Sequence, residues 1–288
     1  MSEIPSVQWF PGHMAKTRRL MEKCLPLVDI IVEIRDARIP ASSQNPEIEK
    51  LVSGKPRVII LNKCDVADER ANRAWCSYLN GSNVKALSAD CKSGKGLKAF
   101  MPTVNEVLKD LLERRQQKGM AGRPVRMMVV GIPNVGKSSF INRLAGNKRT
   151  KVEDRPGVTR GQQWVKLSDG SELLDMPGVL WPKFEDPKVG MYLAFTGAVK
   201  DDILDLESLT SHLLEVLNRE YRELLCARYS LTDTEGLTGY ELLRMVGKKR
   251  GMLVSGGEVN TERAAIMVLD EFRSGKVGRI TLELPPKT

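Results

Sequence analysis

Short apolar runs alternate with amphipathic stretches along the first two thirds of the chain. VDIIVEI at 28–34 leads into Arg35, Asp36, Ala37 and Arg38, the pattern of a buried parallel strand opening into a functional loop. PEIEKLVSG at 46–54 has helical spacing and a glycine stop. A strand in VIILN at 58–62, a helix over 69–81 and a strand in NVKALSAD at 83–90 repeat the alternation. Leu97, Phe100, Val104, Val107, Leu108 and Leu111 then mark one side of a long amphipathic helix over 97–118. Gly119, Gly122 and Pro124 form a linker or tight connection. VRMMVVG predicts a fourth strand, followed by a helix over 137–144, and GQQWVKL and SELLDMPG predict the last two. Strand and helix alternating at these lengths predict an α/β domain, a doubly wound parallel sheet, over 1–182. Beyond Trp181 and Pro182 the strand signals stop. ESLTSHLLEVLNREYRELL, GLTGYELLRMVGKKRG and NTERAAIMVLDEFRSGK have helical spacing, which predicts a small all-helical domain over 183–288.

The chemistry sits at the strand ends. Gly131-Ile-Pro-Asn-Val-Gly136-Lys137-Ser138 fits G-x-x-x-x-G-K-[ST] between a strand and a helix, the context this phosphate-loop motif requires. Its glycines let the backbone N–H groups of Asn134, Val135, Gly136, Ser138 and Ser139 turn toward phosphates at a helix N-terminus. Lys137 can bridge β- and γ-phosphates, and the Ser138 hydroxyl can ligate Mg²⁺. Asp175-Met-Pro-Gly178 closes a strand; Asp175 can hold Mg²⁺ through water, and the Gly178 N–H can approach the γ-phosphate. Thr159, in RPGVTRG, lies between them in the chain as the switch residue that senses both Mg²⁺ and the γ-phosphate. Asn62-Lys63-Cys64-Asp65 is a base-reading loop. Its Asp65 carboxylate can accept two hydrogen bonds from guanine that adenine cannot offer, Asn62 fixes the loop and Lys63 lies over the base. Ser88 and Ala89, after the third strand, supply the contact to the guanine oxygen. The base-reading loop precedes the phosphate loop, so the expected fold is a P-loop GTPase domain with circularly permuted motif order. Such an order is feasible where the ancestral termini lay close together.

These motifs, with WFPGHMAK at 9–16, DARIP at 36–40 and LSA at 87–89, closely resemble the circularly permuted GTPases of the ribosome biogenesis GTPase A (YlqF) family over essentially the whole chain. The resemblance implies a bacterial GTPase that acts late in large ribosomal subunit assembly, with GTP, GDP, the subunit precursor and its rRNA as partners and an RNA-binding helical tail. It also suggests that His13 approaches the γ-phosphate; the alternative is a structural or RNA-contacting histidine. Many small GTPases carry a water-orienting glutamine after D-x-x-G, where this chain has Val179. Asn134 resembles the asparagine of potassium-binding GTPases, with a loop-stabilising role as the alternative. His212 falls on a helix and is expected to be structural.

Composition adds a partner and a compartment. A net charge of +9 and pI near 9.3 favour an acidic partner. Lys248, Lys249 and Arg250, between tail helices, are the candidate RNA contacts, and Lys16, Arg18, Arg19 and Lys23 add charge near the N-terminus. Five scattered cysteines without a C-x-x-C pair suggest reduced thiols. No apolar run reaches membrane-spanning length, so a cytoplasmic protein without a membrane partner is expected. An RNA-binding scaffold that barely hydrolyses GTP, and an ATPase or kinase on the same loop, are the other functional classes; Asp65 speaks against the second.

Overall fold

The computed structural model describes residues 11–120, 122–146 and 163–286, with residues 11–14 and 163 as backbone only. Six strands, β1 (Ile30–Asp36), β2 (Arg57–Asn62), β3 (Val84–Ser88), β4 (Arg126–Val130), β5 (Gln163–Lys166) and β6 (Glu172–Asp175), form one sheet in the order β3-β2-β1-β4-β6-β5. All pairs are parallel except β5 with β6. The chain steps from β1 toward one edge, then returns with β4 on the other side of β1. That reversal places a crevice at the carboxyl ends of β1 and β4, where ligands bind in open α/β sheets. The sequence expectation of a wholly parallel sheet gives way at one edge. Only residues 167–171 join β5 to β6, closed by Leu167 N–H to Ser171 O at 2.8 Å, and so short a connection permits only a hairpin.

Helices cover both faces. α1 (Pro11–Cys24) precedes β1; α2 (Pro46–Val52) and α3 (Glu69–Leu79) are the first crossovers. α4 (Phe100–Val107) and α5 (Lys109–Gln117) lead to β4, and α6 (Lys137–Ala145) follows it. The long helix expected over 97–118 is thus broken at Leu108, whose φ of −95° and ψ of 8° depart from helix geometry. All seven residues of β1 and all six of β2 are buried, as central parallel strands covered on both faces must be. Met21 and Cys24 of α1, Ile31, Ile48, Val52, Met128, Leu174, Met176 and Val179 make one core cluster. Ala37, Ile59, Leu61, Ala67, Trp75 and Ala86 make another.

The junction implied by the permuted order is held by one carboxylate. Asp29, just before β1, accepts from Arg115 Nη2 of α5 at 2.5 Å and from the Arg126 N–H that opens β4 at 3.0 Å. The rearranged connection therefore ends in a defined ion pair.

Among the described residues the chain divides into two compact units, one comprising 185–280 and the other 11–184 with 281–286. The first contains α7 (Pro187–Phe195), α8 (Leu206–Glu220), α9 (Arg222–Tyr229), α10 (Gly239–Lys249) and α11 (Thr261–Arg273). Leu213, Leu217, Leu242, Val246, Val268 and Leu269 are buried, and Arg273 clamps Asp201 at 2.7 and 2.8 Å. The sequence division at 182 assigned every later residue to the helices. In the structure residues 281–283 instead hydrogen-bond to the sheet unit, with Leu282 N–H donating to Arg38 O at 2.7 Å. Among the described residues no helix is long and apolar enough to cross a membrane.

Candidate nucleotide site

The phosphate loop leaves β4 at Val130 and enters α6 at Lys137. Three of its residues have left-handed backbone: Gly131 (φ 152°), Asn134 (φ 55°) and Gly136 (φ 101°). Gly136 has no room for a side chain, because a Cβ there would lie 2.2 Å from Asn62 Nδ2. Lys137 is buried and donates to Gly131 O at 3.1 Å and Ile132 O at 2.8 Å. Ser138 and Ser139 follow in the first turn of α6, both half-buried.

Asp175 ends β6, the neighbour of β4, and is 0 % exposed. Neither carboxylate oxygen has a hydrogen-bond partner among the described residues. Burial pushes this carboxyl up to about 6 against the pull of Lys137, and burial pushes the Lys137 ammonium down to about 8 against the pull of Asp175. Gly178 completes the group: a Cβ on it would lie 2.4 Å from Lys137 Nζ. A buried carboxylate without a hydrogen-bond partner, in the field of Lys137, with a serine hydroxyl next to that lysine in the chain, supplies oxygen donors of the kind a hard cation such as Mg²⁺ takes.

Asn62 ties the loops together. Its Nδ2 donates to Val135 O in the phosphate loop at 2.7 Å, and its Oδ1 accepts from Cys91 N–H at 2.9 Å. Lys63 has a left-handed φ of 63°, and its Nζ lies 3.0 Å from Asp36 Oδ2. Asp65 is exposed. Ser88 ends β3, and Ala89 donates to Leu61 O at 2.9 Å while accepting from Cys64 N–H at 3.2 Å. Base-reading loop, small-residue loop and phosphate loop are therefore one hydrogen-bonded assembly. Sequence reasoning noted DARIP but gave Asp36 no partner.

The remaining predicted residues are accounted for individually. Thr159 lies outside the described residues, as does the side chain of His13, whose backbone belongs to the start of α1. Val179 is buried in the core with Met21 and Met176. The His212 Nδ1 lies 2.8 Å from Ser208 O one turn back on α8. Lys248 and Lys249 are exposed in the last turn of α10. Arg250 is engaged within its own unit: it stacks on the Tyr229 ring at 5.3 Å and donates to Arg228 O at 3.1 Å.

Comparison with known proteins agrees with this geometry. The family described as 50S ribosome-binding GTPase matches residues 126–227. Ribosome biogenesis GTPase A of Bacillus pumilus (strain SAFR-032) is 46% identical over 280 residues, 97% of this chain and 99% of the relative. A GDP-bound YlqF structure aligns with a TM-score of 0.68 at 26% identity, covering 93% of this chain and 100% of that one. A GNP-bound YlqF from T. maritima gives 0.66 at 27% identity, covering 95% and 100%.

Proposed function

The chain belongs to the ribosome biogenesis GTPase A family, and from that membership we propose that it is a cytoplasmic assembly factor for the large ribosomal subunit, switching with nucleotide state and activated by the ribosomal particle. It is a GTPase acting in ribosome biogenesis. The observation that carries the site assignment is the join of Asn62 to Val135 at 2.7 Å, which couples a guanine-type loop to a phosphate loop across the permuted order.

In this proposal Asp65 accepts from guanine, Ser88 and Ala89 contact its oxygen, and Lys63 lies over the base. Once a bound base shields it from water, an acceptor left unpaired costs about 1–3 kcal/mol, which disfavours adenine. The N–H groups of Asn134, Val135, Gly136, Ser138 and Ser139 surround the phosphates, with Lys137 on the β- and γ-oxygens and Gly178 beside the γ-phosphate. GTPases of this kind use Mg²⁺; here Ser138, Thr159 and Asp175 would hold it, Asp175 through water, and it would neutralise charge developing on the phosphate oxygens. Asn134 is proposed to hold K⁺ beside the phosphates. Equal turnover in sodium and potassium buffers would remove that role.

Val179 cannot orient the attacking water; the family resemblance suggests His13 for that task. A group supplied or ordered by a partner makes turnover slow in isolation and partner-dependent, as induced assembly of a site requires. Lys248, Lys249 and Arg250 are proposed to contact rRNA, supported by the exposure of the two lysines and the net charge of +9. Co-sedimentation with purified ribosomal subunits is the test. With a non-hydrolysable GTP analogue the protein should pellet with large but not small subunits, and salt should weaken the association. Equal pelleting with both would contradict the assignment to the large subunit.

A further inference from the structure

We propose that Asp36 is a positioning residue that holds Lys63 for nucleotide binding, and that residues 281–283, at the far end of the chain, brace both flanks of the same loop. The proposal rests on the guanine reading of residues 62–65.

Asp36 ends β1 directly opposite Asn62 in register, and Ala37 N–H donates to Asn62 O at 2.8 Å. Arg38 forks onto the Asp36 carboxylate, Nε to Oδ1 at 2.9 Å and Nη2 to Oδ2 at 2.8 Å, and its own N–H adds a bond to Oδ1 at 3.0 Å. Both side chains are almost fully buried. Burial pushes the Asp36 carboxyl up, but Arg38 and Lys63 prevail and hold it well below the usual carboxylate range. A carboxylate held by three hydrogen bonds from Arg38 is thus presented to the Lys63 ammonium at 3.0 Å. Lys63 needs such an anchor. Its φ of 63° is a left-handed conformation, unfavourable for any residue that carries a Cβ. An ammonium fixed at its tip also fixes the methylene stem over which a base can stack.

The brace runs across the same region. Glu283 accepts from the N–H groups of Ala41 (2.7 Å) and Ser42 (3.0 Å) and from the Ser42 hydroxyl, gripping the loop after Arg38. Leu282 N–H donates to Arg38 O at 2.7 Å. Thr281 Oγ1 donates to Ala37 O at 3.1 Å and accepts from Asp68 N–H at 3.0 Å. Trp75 Nε1 donates to Glu283 O at 2.8 Å. Residues 37–42, before the base-reading loop in sequence, and Asp68 and Trp75, after it, are thereby held by one three-residue segment.

The experiment measures binding of fluorescent GDP to the full chain, with GTP turnover alongside. Asp36→Asn and Lys63→Met should each weaken binding roughly tenfold, and the double variant should be little weaker than either, because both remove one interaction. For Asp36→Asn the loss should fall on KM more than on kcat, which a merely structural defect would not produce. Glu283→Gln should weaken GDP in the same direction by a smaller factor, and it serves if Asp36→Asn does not fold. Effects of Asp36→Asn and Lys63→Met that multiply would overturn the positioning role; unchanged GDP binding in Glu283→Gln would overturn the brace. Asp65→Asn reports on the underlying reading separately. It should lose preference for GDP over ADP, and if it does not, the guanine assignment falls first and the proposal with it.

Discussion

At the scale of single residues, the site stores unfavourable electrostatics that a bound nucleotide and cation would relieve. Asp175 is buried without a hydrogen-bond partner among the described residues, beside a lysine whose ammonium burial also disfavours. Such groups are tolerated where function requires them. The pH dependence has a definite sign. The Asp175 carboxyl moves from 3.8 to about 6 on folding, so the folded protein binds the extra proton between those values. Stability from this group is therefore full below about pH 4 and is lost as pH rises through about 6, by on the order of 1–3 kcal/mol. In Asp175→Asn that slope should vanish. Urea unfolding of nucleotide-free protein between pH 4 and 7 checks it; parallel curves for the two proteins would show that Asp175 is not held in its neutral form by burial.

At the scale of elements, loops are positioned by caps and registers. Asn45 exemplifies this: its Oδ1 caps α2 by accepting from Glu47 N–H at 3.0 Å, and its Nδ2 donates to Val179 O at 3.0 Å. One side chain thus sets a helix start and pins the segment following Asp175 and Gly178. Asn45→Ala removes both bonds and should destabilise by about 1–2 kcal/mol, and Asn45→Asp, which keeps the cap but sets a carboxylate oxygen against Val179 O, should also destabilise. Denaturant midpoints that match the native protein in both variants would contradict this. The elements differ in how readily their sequences disclose them. β1, β2 and β4 were legible because central strands buried on both faces need continuous apolar runs. α7 was not, because GMYLAF is apolar on nearly every side and lacks the polar face that marks a helix. α1 was missed because its few apolar positions sit among basic residues. The site motifs were legible as fixed spacings at strand ends. The Asp36 to Lys63 pair and the Glu283 brace were not, because contacts made only by tertiary folding leave no local period in the chain.

At the scale of the whole molecule, permutation changes what the nucleotide site is connected to. The helical unit enters the chain after Phe184 and leaves it before Thr281. One connection follows the segment containing Asp175 and Gly178; the other leads into the residues that brace the base-reading loop. The net charge of +9 suits an acidic partner, and the proposed activator is a ribonucleoprotein particle. The most direct measurement is steady-state GTP turnover in potassium buffer, with and without purified bacterial large ribosomal subunits. Slow turnover alone and strong stimulation by large subunits is the expected result. Tight GTP binding with turnover that neither mature nor precursor large subunits accelerate would contradict the account and favour a nucleotide-holding RNA scaffold.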